Sequence, residues 1–355
     1  AFLLALNAID SHADPMRTIE LLRIAAEMGY EGAYTLLAVT LERDAPQLAE
    51  EARRWRLESA RAGNAESARK VADWYAEGTP PRDARRAQLW YVEAVRHHED
   101  MVAALSLAKL LLREPKDVVG GLPEAAQLLQ GLTEMGNAEA RRLYADVLVL
   151  GRGVDRDAVA AEKVMREAVA DGDLEAQSVL GIWLVEGSLG PDRVSEGYAE
   201  LSQAAARGHG HALNALAQFR YWGVGTNADR DAARASWEQA LETGYLPAFN
   251  DFAWHLCTVS DSAFFDAKRG LEVMATMSER TELRYDAIDT EAACHAAAGD
   301  FDAAVATQQR AIELARTVGV PGAEIVGMEG RLSGYRSHQR ATTNRPPYAD
   351  ATPGT

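Results

Sequence analysis

Gly136-Asn137-Ala138-Glu139-Ala140, then a helical stretch, then Gly151-Arg152-Gly153-Val154: this phrase and its echoes decide the fold. It occurs again as Gly63-Asn64-Ala65-Glu66 up to Glu77-Gly78, and as Gly172-Asp173-Leu174-Glu175-Ala176 up to Glu186-Gly187. A fourth copy runs from Gly208 to Ala212 and on to Trp222-Gly223-Val224-Gly225. Self-similarity at roughly one solenoid period marks an array of helix pairs, each burying its apolar face only against its neighbours. The phrase predicts an interaction solenoid and leaves the bound partner open.

Working outward, composition agrees. Of the 355 residues, 47% are hydrophobic. Ala and Leu dominate, which suits close helix packing and high helix propensity. Long β-branched runs are absent, so no sheet is expected. The formal net charge of −16 argues against nucleic acid or an anionic membrane as main partner, since both demand concentrated Lys and Arg. It suits a basic or mixed-charge protein, and also plain solubility. No stretch approaches the ~20 apolar residues of a membrane span, so no direct membrane insertion is expected. The two cysteines, Cys257 and Cys294, fall in predicted helices at non-equivalent repeat positions and are read as buried free thiols rather than a bridge.

Ala1-Phe2-Leu3-Leu4-Ala5-Leu6 reads as the tail of a helix cut in mid-repeat, with upstream residues expected before it. Asp14-Pro15 starts the next helix, with Asp14 as N-cap and Pro15 at the first helical position; that helix ends at Met28-Gly29.

The aligned phrases resemble Sel-one-like repeats, a subclass of the tetratricopeptide superfamily. Gly151-Arg152-Gly153-Val154-Asp155-Arg156-Asp157 matches the family's inter-helix loop, as does Gly223 to Asp229 with Trp237 on the following helix. Tyr75 to Gly78 ends helix A of the second repeat, and Ala87, Trp90 and Tyr91 lie on its helix B. Six units begin near Gly29, Gly63, Glu99, Gly136, Gly172 and Gly208. The third has lost its glycine and carries a longer loop from Pro115 to Leu122. Further on, Ala298-Gly299-Asp300-Phe301-Asp302-Ala303 resembles the turn of an ordinary tetratricopeptide repeat. The expected organisation is therefore truncated capping helices at 1–28, six Sel-one-like repeats at 29–244, about two tetratricopeptide-like repeats at 245–320, and a capping helix with an extended tail at 321–355. The resemblance implies an all-α, right-handed superhelical α-α solenoid of stacked helix hairpins.

Chemistry finds little footing. The Gly-x-Gly loops follow helices rather than strands, so they are read as left-handed helix stops and not as phosphate cradles. Of eight histidines, only His97-His98 and His209-Gly210-His211 cluster. The second cluster is expected to be solvated, and no metal-binding spacing occurs. No nucleophile elbow is present. Glu291 and His295 replace an apolar residue and a Tyr of the repeat pattern, four apart on one helix. Both a coupled carboxylate–imidazole pair and an exposed Glu291 stay open, the latter preferred. No catalytic residue, metal or cofactor is predicted.

In the resembled superfamily helix A lines the concave face. Carried over residue by residue, the groove positions are Glu66, Arg69, Asp73 and Glu77; Glu139, Arg142, Asp146 and Val149; Ser178, Ile182 and Glu186; Asn214, Gln218, Tyr221 and Trp222; and Asn250 and Trp254. Tyr221, Trp222 and Trp254 are the candidate aromatic anchors. The resemblance implies a bacterial, non-enzymatic scaffold, adaptor or regulator that binds a protein, often in an envelope or host-interaction setting. Alternatives are an immunity protein that neutralises a secreted toxin and an accessory of a cell-envelope or polysaccharide machine.

Overall fold

The computed structural model describes residues 1–10, 14–78, 82–98, 100–191 and 193–343. Among them the chain is all-helical, with nineteen α-helices, one 3-10 turn and an isolated β-bridge between Val259 and Thr343. It divides into two compact units, Ala1–Ala161 and Glu162–Thr355.

In the first unit α1 (Phe2–Asp10) and α2 (Pro15–Glu27) lead into three hairpins. These pair α3 (Glu31–Asp44) with α4 (Ala49–Arg61), α5 (Ala65–Glu77) with α6 (Ala84–His98), and α7 (Met101–Arg113) with α8 (Gly121–Glu134); α9 (Ala138–Leu150) packs on α8. The unit boundary falls inside α10 (Ala158–Ala170). The second unit pairs α11 (Leu174–Glu186) with α12 (Val194–Ala206), α13 (Gly210–Trp222) with α14 (Arg230–Glu242), α15 (Leu246–Thr258) with α16 (Ala267–Arg280), and α17 (Tyr285–Ala297) with α18 (Phe301–Thr317). It ends on α19 (Gly322–Arg336), packed against α18. The expected N-cap at Asp14 is present, and a helix spans Gly322–Arg336 within the segment 321–355. The expected third-repeat start at Glu99 lies outside the described residues.

A glycine followed by a capping Asn or Asp makes three of the junctions between hairpins. At Gly172-Asp173 the glycine adopts φ +88°, a left-handed conformation that closes the preceding helix, and the Asp173 amide donates to the Ala168 carbonyl. The Asp173 carboxylate then accepts the Ala176 amide and opens α11. Gly63-Asn64 and Gly136-Asn137 repeat this arrangement, with Asn64 and Asn137 accepting from Ser67 and Ala140.

Within hairpins, Gly151, Gly187 and Gly223 end their A helices in the left-handed region. Gly78 does not: its φ is −60° and the chain leaves α5 extended. The second glycine of each Gly-x-Gly loop serves packing. A Cβ at Gly153 would lie 2.3 Å from the Leu122 carbonyl carbon, and one at Gly225 would lie 2.4 Å from Val194. Each loop therefore lies directly on the start of the preceding hairpin's B helix.

Alanines fill most helix crossings, and the larger core residues concentrate around α13 to α16, where Trp237, Phe249 and Phe252 are fully buried. Arginines and glutamates join successive B-layer helices: Arg23 with Glu51, Arg269 with Glu238, and Arg166 and Arg193 with Glu162 and Glu196. Hydrogen bonds from these arginines hold the Glu162 and Glu196 carboxyls below the usual carboxylate range. Such part-exposed pairs are each worth at most about 1 kcal/mol.

The cysteines overturn the free-thiol expectation. Cys257 and Cys294 form a disulfide between α15 and α17, with Cα atoms 4.9 Å apart. Equivalent repeat positions are unnecessary, because the A helices of consecutive hairpins lie side by side here. Gly270 on α16 makes the room: a Cβ there would stand 2.2 Å from the Cys257 sulfur and 3.0 Å from that of Cys294.

Candidate protein-binding face

In the second unit successive A helices touch, α11 to α13 to α15 to α17, whereas the B helices of successive hairpins meet mainly the A helices between them. This makes the A helices the tighter, inner layer of the unit. Their side chains divide into those tied to the next hairpin and those left open.

Many predicted groove positions belong to the first group. Asn214 and Gln218 on α13 both donate to the Asp251 carboxylate on α15, each at 2.7 Å. Asn214 also accepts the buried Trp237 indole N–H at 2.9 Å, so it links a B helix to the next A helix. Burial raises the Asp251 carboxyl above its ordinary range, against the two amide donors, which lower it. Ser178 is fully buried and meets His209 Nδ1 at 2.8 Å. In the first unit Arg69 pairs with Asp73 at 3.8 Å and with Asp100, the N-cap of α7, at 3.5 Å, while Asp73 accepts the Tyr91 hydroxyl at 2.8 Å. Glu139 pairs with Lys109 of α7. Arg142 and Asp146 are half-buried on α9, and Val149 is buried.

The aromatic anchors separate. Tyr221 is buried at 3% exposure and is no groove residue: its ring packs edge-on against Phe264 and His255, under the Arg230 guanidinium. Trp222 is half-buried against the same core. Trp254 is half-buried and donates its indole N–H to Thr343 at 3.0 Å, while Arg331 covers its ring. Along α11, α13 and α15 runs a half-buried row, Ile182, Gln218, Trp222, Asn250 and Trp254, in which Gln218 and Trp254 already bond within the chain, with Glu186 exposed. In the first unit Glu66 and Glu77 are exposed on α5.

The histidine expectations also change. His209 and His211 are not solvated; both approach Glu175, at 3.5 and 2.8 Å, and His211 stacks on Tyr245. The side chains of His97 and His98 lie outside the described residues. Glu291 pairs with Arg310 of α18 at 2.8 Å rather than with His295. Among the described residues no cluster of three or more His, Cys, Asp or Glu is placed to hold a metal ion, and no helix is long and apolar enough to cross a membrane.

Sequence reasoning missed His255. It lies within the aromatic nest beneath the row, with ring centroids 4.6 Å from Trp237 and 5.1 Å from Tyr221. Its Nδ1 meets the Asp251 carbonyl at 2.7 Å, and its Nε2 is buried without a hydrogen-bond partner. Burial pushes the imidazole down to about 4, from an unfolded value near 6.5. The unfolded chain therefore takes up this proton first as pH falls. Stability is full above pH ~6.5 and drops progressively toward pH ~4, by as much as about 3 kcal/mol from this group. His255→Phe should flatten that part of the profile in urea titrations read by circular dichroism; an unchanged slope would contradict the assignment.

No family model matches the chain, and no curated protein does. The fold does match solved structures. A Sel1 repeat protein from Oxalobacter formigenes superposes with a TM-score of 0.53 at 17% identity, covering 89% of this chain and 94% of that one. The protein c5321, described as a protective antigen of uropathogenic Escherichia coli with an SLR fold, gives 0.50 at 18% identity, covering 84% of this chain. Yeast Tom70 gives 0.57 at 12% identity, covering 87% of this chain. This chain spans 64% of the length of c5321 and 60% of Tom70. These likenesses establish the architecture as a solenoid of Sel1-like and tetratricopeptide-like helix hairpins.

Proposed function

We propose that the protein is a non-catalytic binding module whose inner A-helix layer in the second unit receives a protein partner, acting as a scaffold or regulator. Solenoids of this kind generally mediate protein–protein interaction. One observation carries the reading. The half-buried row Ile182, Trp222 and Trp254 lies on α11, α13 and α15, the last two of which are tied together by the Asn214–Asp251–Gln218 hydrogen bonds. A half-buried aromatic row on a pre-organised layer is the arrangement that concentrates binding energy in a few anchors. A basic or mixed-charge partner suits the net charge of −16. Toxin neutralisation and service to an envelope machine are narrower versions of the same activity.

Substitutions at Asp251 and Trp222 test it. Asp251 has a raised folded-state pKa, so its ionisation opposes folding increasingly as pH rises past the unfolded carboxylate value. Asp251→Asn should match or exceed the wild type in melting temperature at pH 7, with the advantage fading under acid. Affinity for a partner captured by the wild type, then purified and titrated calorimetrically, should hold with Asp251→Asn, whose amide oxygen can still accept from Asn214 and Gln218, and fall with Asp251→Leu, which accepts from neither, and with Trp222→Ala. Retention of full affinity in both Asp251→Leu and Trp222→Ala would reject this face. One stoichiometric toxin-like partner would favour the immunity reading, and several envelope proteins the scaffold.

A further inference from the structure

Beyond α19, residues 337–343 lie against the second unit. His338 takes φ +56°, an unfavourable left-handed conformation for a side-chain-bearing residue, as the chain leaves α19 with the Gln339 amide donating to the Gly334 carbonyl. His338 stacks on Phe301 and Arg340 lies 4.4 Å over the Phe265 ring. Thr343 then reaches the C-terminal end of α15, where its amide donates to the Thr258 carbonyl at 2.9 Å and the segment forms a parallel bridge with Val259. The Thr343 hydroxyl accepts the Trp254 indole N–H at 3.0 Å and lies 3.2 Å from the Thr258 hydroxyl. The Thr258 hydroxyl is the donor to Thr343, sharing its proton with the Trp254 carbonyl at 2.7 Å, so the Thr343 oxygen accepts from both Trp254 and Thr258.

We propose that this strip, from Trp254 to Phe265, is a docking site for an extended, arginine-bearing segment with a serine or threonine three residues further on, and that the chain's own Arg340–Thr343 occupies it until a partner displaces it. The observations share one logic. The bound element is extended and held by strand-type pairing, a mode that accepts other sequences readily because the backbone carries it. Its hydroxyl oxygen accepts from both the Trp254 indole and the Thr258 hydroxyl, a double acceptor that a short Ser or Thr side chain places beside the backbone pairing, and its guanidinium lies over the aromatic face of Phe265. Yet the backbone hold is slight. Among the described residues after Gln339, Thr343 alone has a backbone hydrogen bond to the repeats, and residues 337–340 are exposed. A short tether gives even a weak segment an effective concentration on the order of millimolar, enough to keep the strip filled and still be displaced. An arginine-bearing competitor also suits the acidic chain.

The inference rests on the proposed partner-binding role of the A-helix layer, and its test is separate. Full-length Thr343→Pro loses the amide donor and the hydroxyl; Arg340→Glu, at an exposed position, is the second variant. A fluorescein-labelled synthetic peptide of residues 337–343 is titrated into each chain and followed by anisotropy. Both variants should bind it roughly tenfold or more tightly than wild type, reflecting loss of the tethered competitor. The gain should vanish when the peptide's own arginine or final threonine is replaced by alanine. Equal affinity for wild type and variants, or no binding to either variant, overturns the proposal. Neither result touches the partner titrations at Asp251 and Trp222, so the broader reading stands or falls on its own.

Discussion

Trp237→Ala should destabilise the protein by about 3–5 kcal/mol, the range for emptying a large aromatic site in a packed core. Trp237 is fully buried on α14, stacks on Phe252 with ring centroids 5.3 Å apart, and touches His255 and Phe264. Removal of the ring leaves a void whose walls belong to three successive helices, so collapse around it would have to shift two A–B contacts together. The indole also donates to Asn214, whose amide group in turn donates to Asp251. Trp237→Phe separates the two contributions. It keeps most of the volume and leaves a buried acceptor unsatisfied, for an expected loss of about 1–3 kcal/mol. Urea unfolding measured by circular dichroism distinguishes them. A loss below 1 kcal/mol for the alanine variant would mean that this core is far looser than its burial indicates.

Reduction of the Cys257–Cys294 bridge should lower stability by about 3–4 kcal/mol, since it releases a loop closed across 37 residues. The sharper form of this prediction involves Gly270. In the oxidised protein Gly270→Ala drives a methyl group into both sulfurs and should cost on the order of 1–3 kcal/mol through overpacking. In a Cys257→Ala, Cys294→Ala background the sulfurs are gone. The same substitution then enters vacated space within α16, where alanine favours the helix by roughly 0.5–1 kcal/mol over glycine. Its sign should therefore reverse between the two backgrounds, a coupling that a thermodynamic cycle reads directly. Equal effects in both would show that the glycine is there for another reason.

The repeat phrase made the architecture legible because its signals are local. Gly63, Gly136 and Gly172 need the left-handed region, and Asn64, Asn137 and Asp173 need to cap, whatever surrounds them. The candidate face was legible only in outline. Register on an A helix distinguishes core from non-core, but it does not say whether a non-core side chain meets solvent or the next hairpin. Arg69, Ser178 and Asn214 all turned sideways to a neighbour, and Tyr221 turned inward beneath Arg230. The disulfide was hidden for the same reason: Cys257 and Cys294 belong to adjacent A helices whose offset along the stack is a tertiary quantity. Gly270 is unremarkable in sequence on a B helix, and its tie to the bridge shows only in its closeness to both sulfurs in the fold. His255 gave none, because a histidine on an apolar helix stripe reads as ordinary filling.

The junction dipeptides have a consequence for how such a chain changes over generations. At Gly63, Gly136 and Gly172 nothing stands within 4 Å of where a side chain would be, so the joint makes no demand on the hairpins it connects. Gly153 and Gly225, by contrast, are pressed onto the preceding hairpin. A duplication or deletion breaking between Gly and Asn or Asp would carry each Gly-x-Gly loop away from, or onto, a new neighbour, while the joint itself would work unaltered. The number of hairpins can thus drift by whole units, and what selection must then repair is the fit of the second glycine against its new neighbour, one contact per insertion.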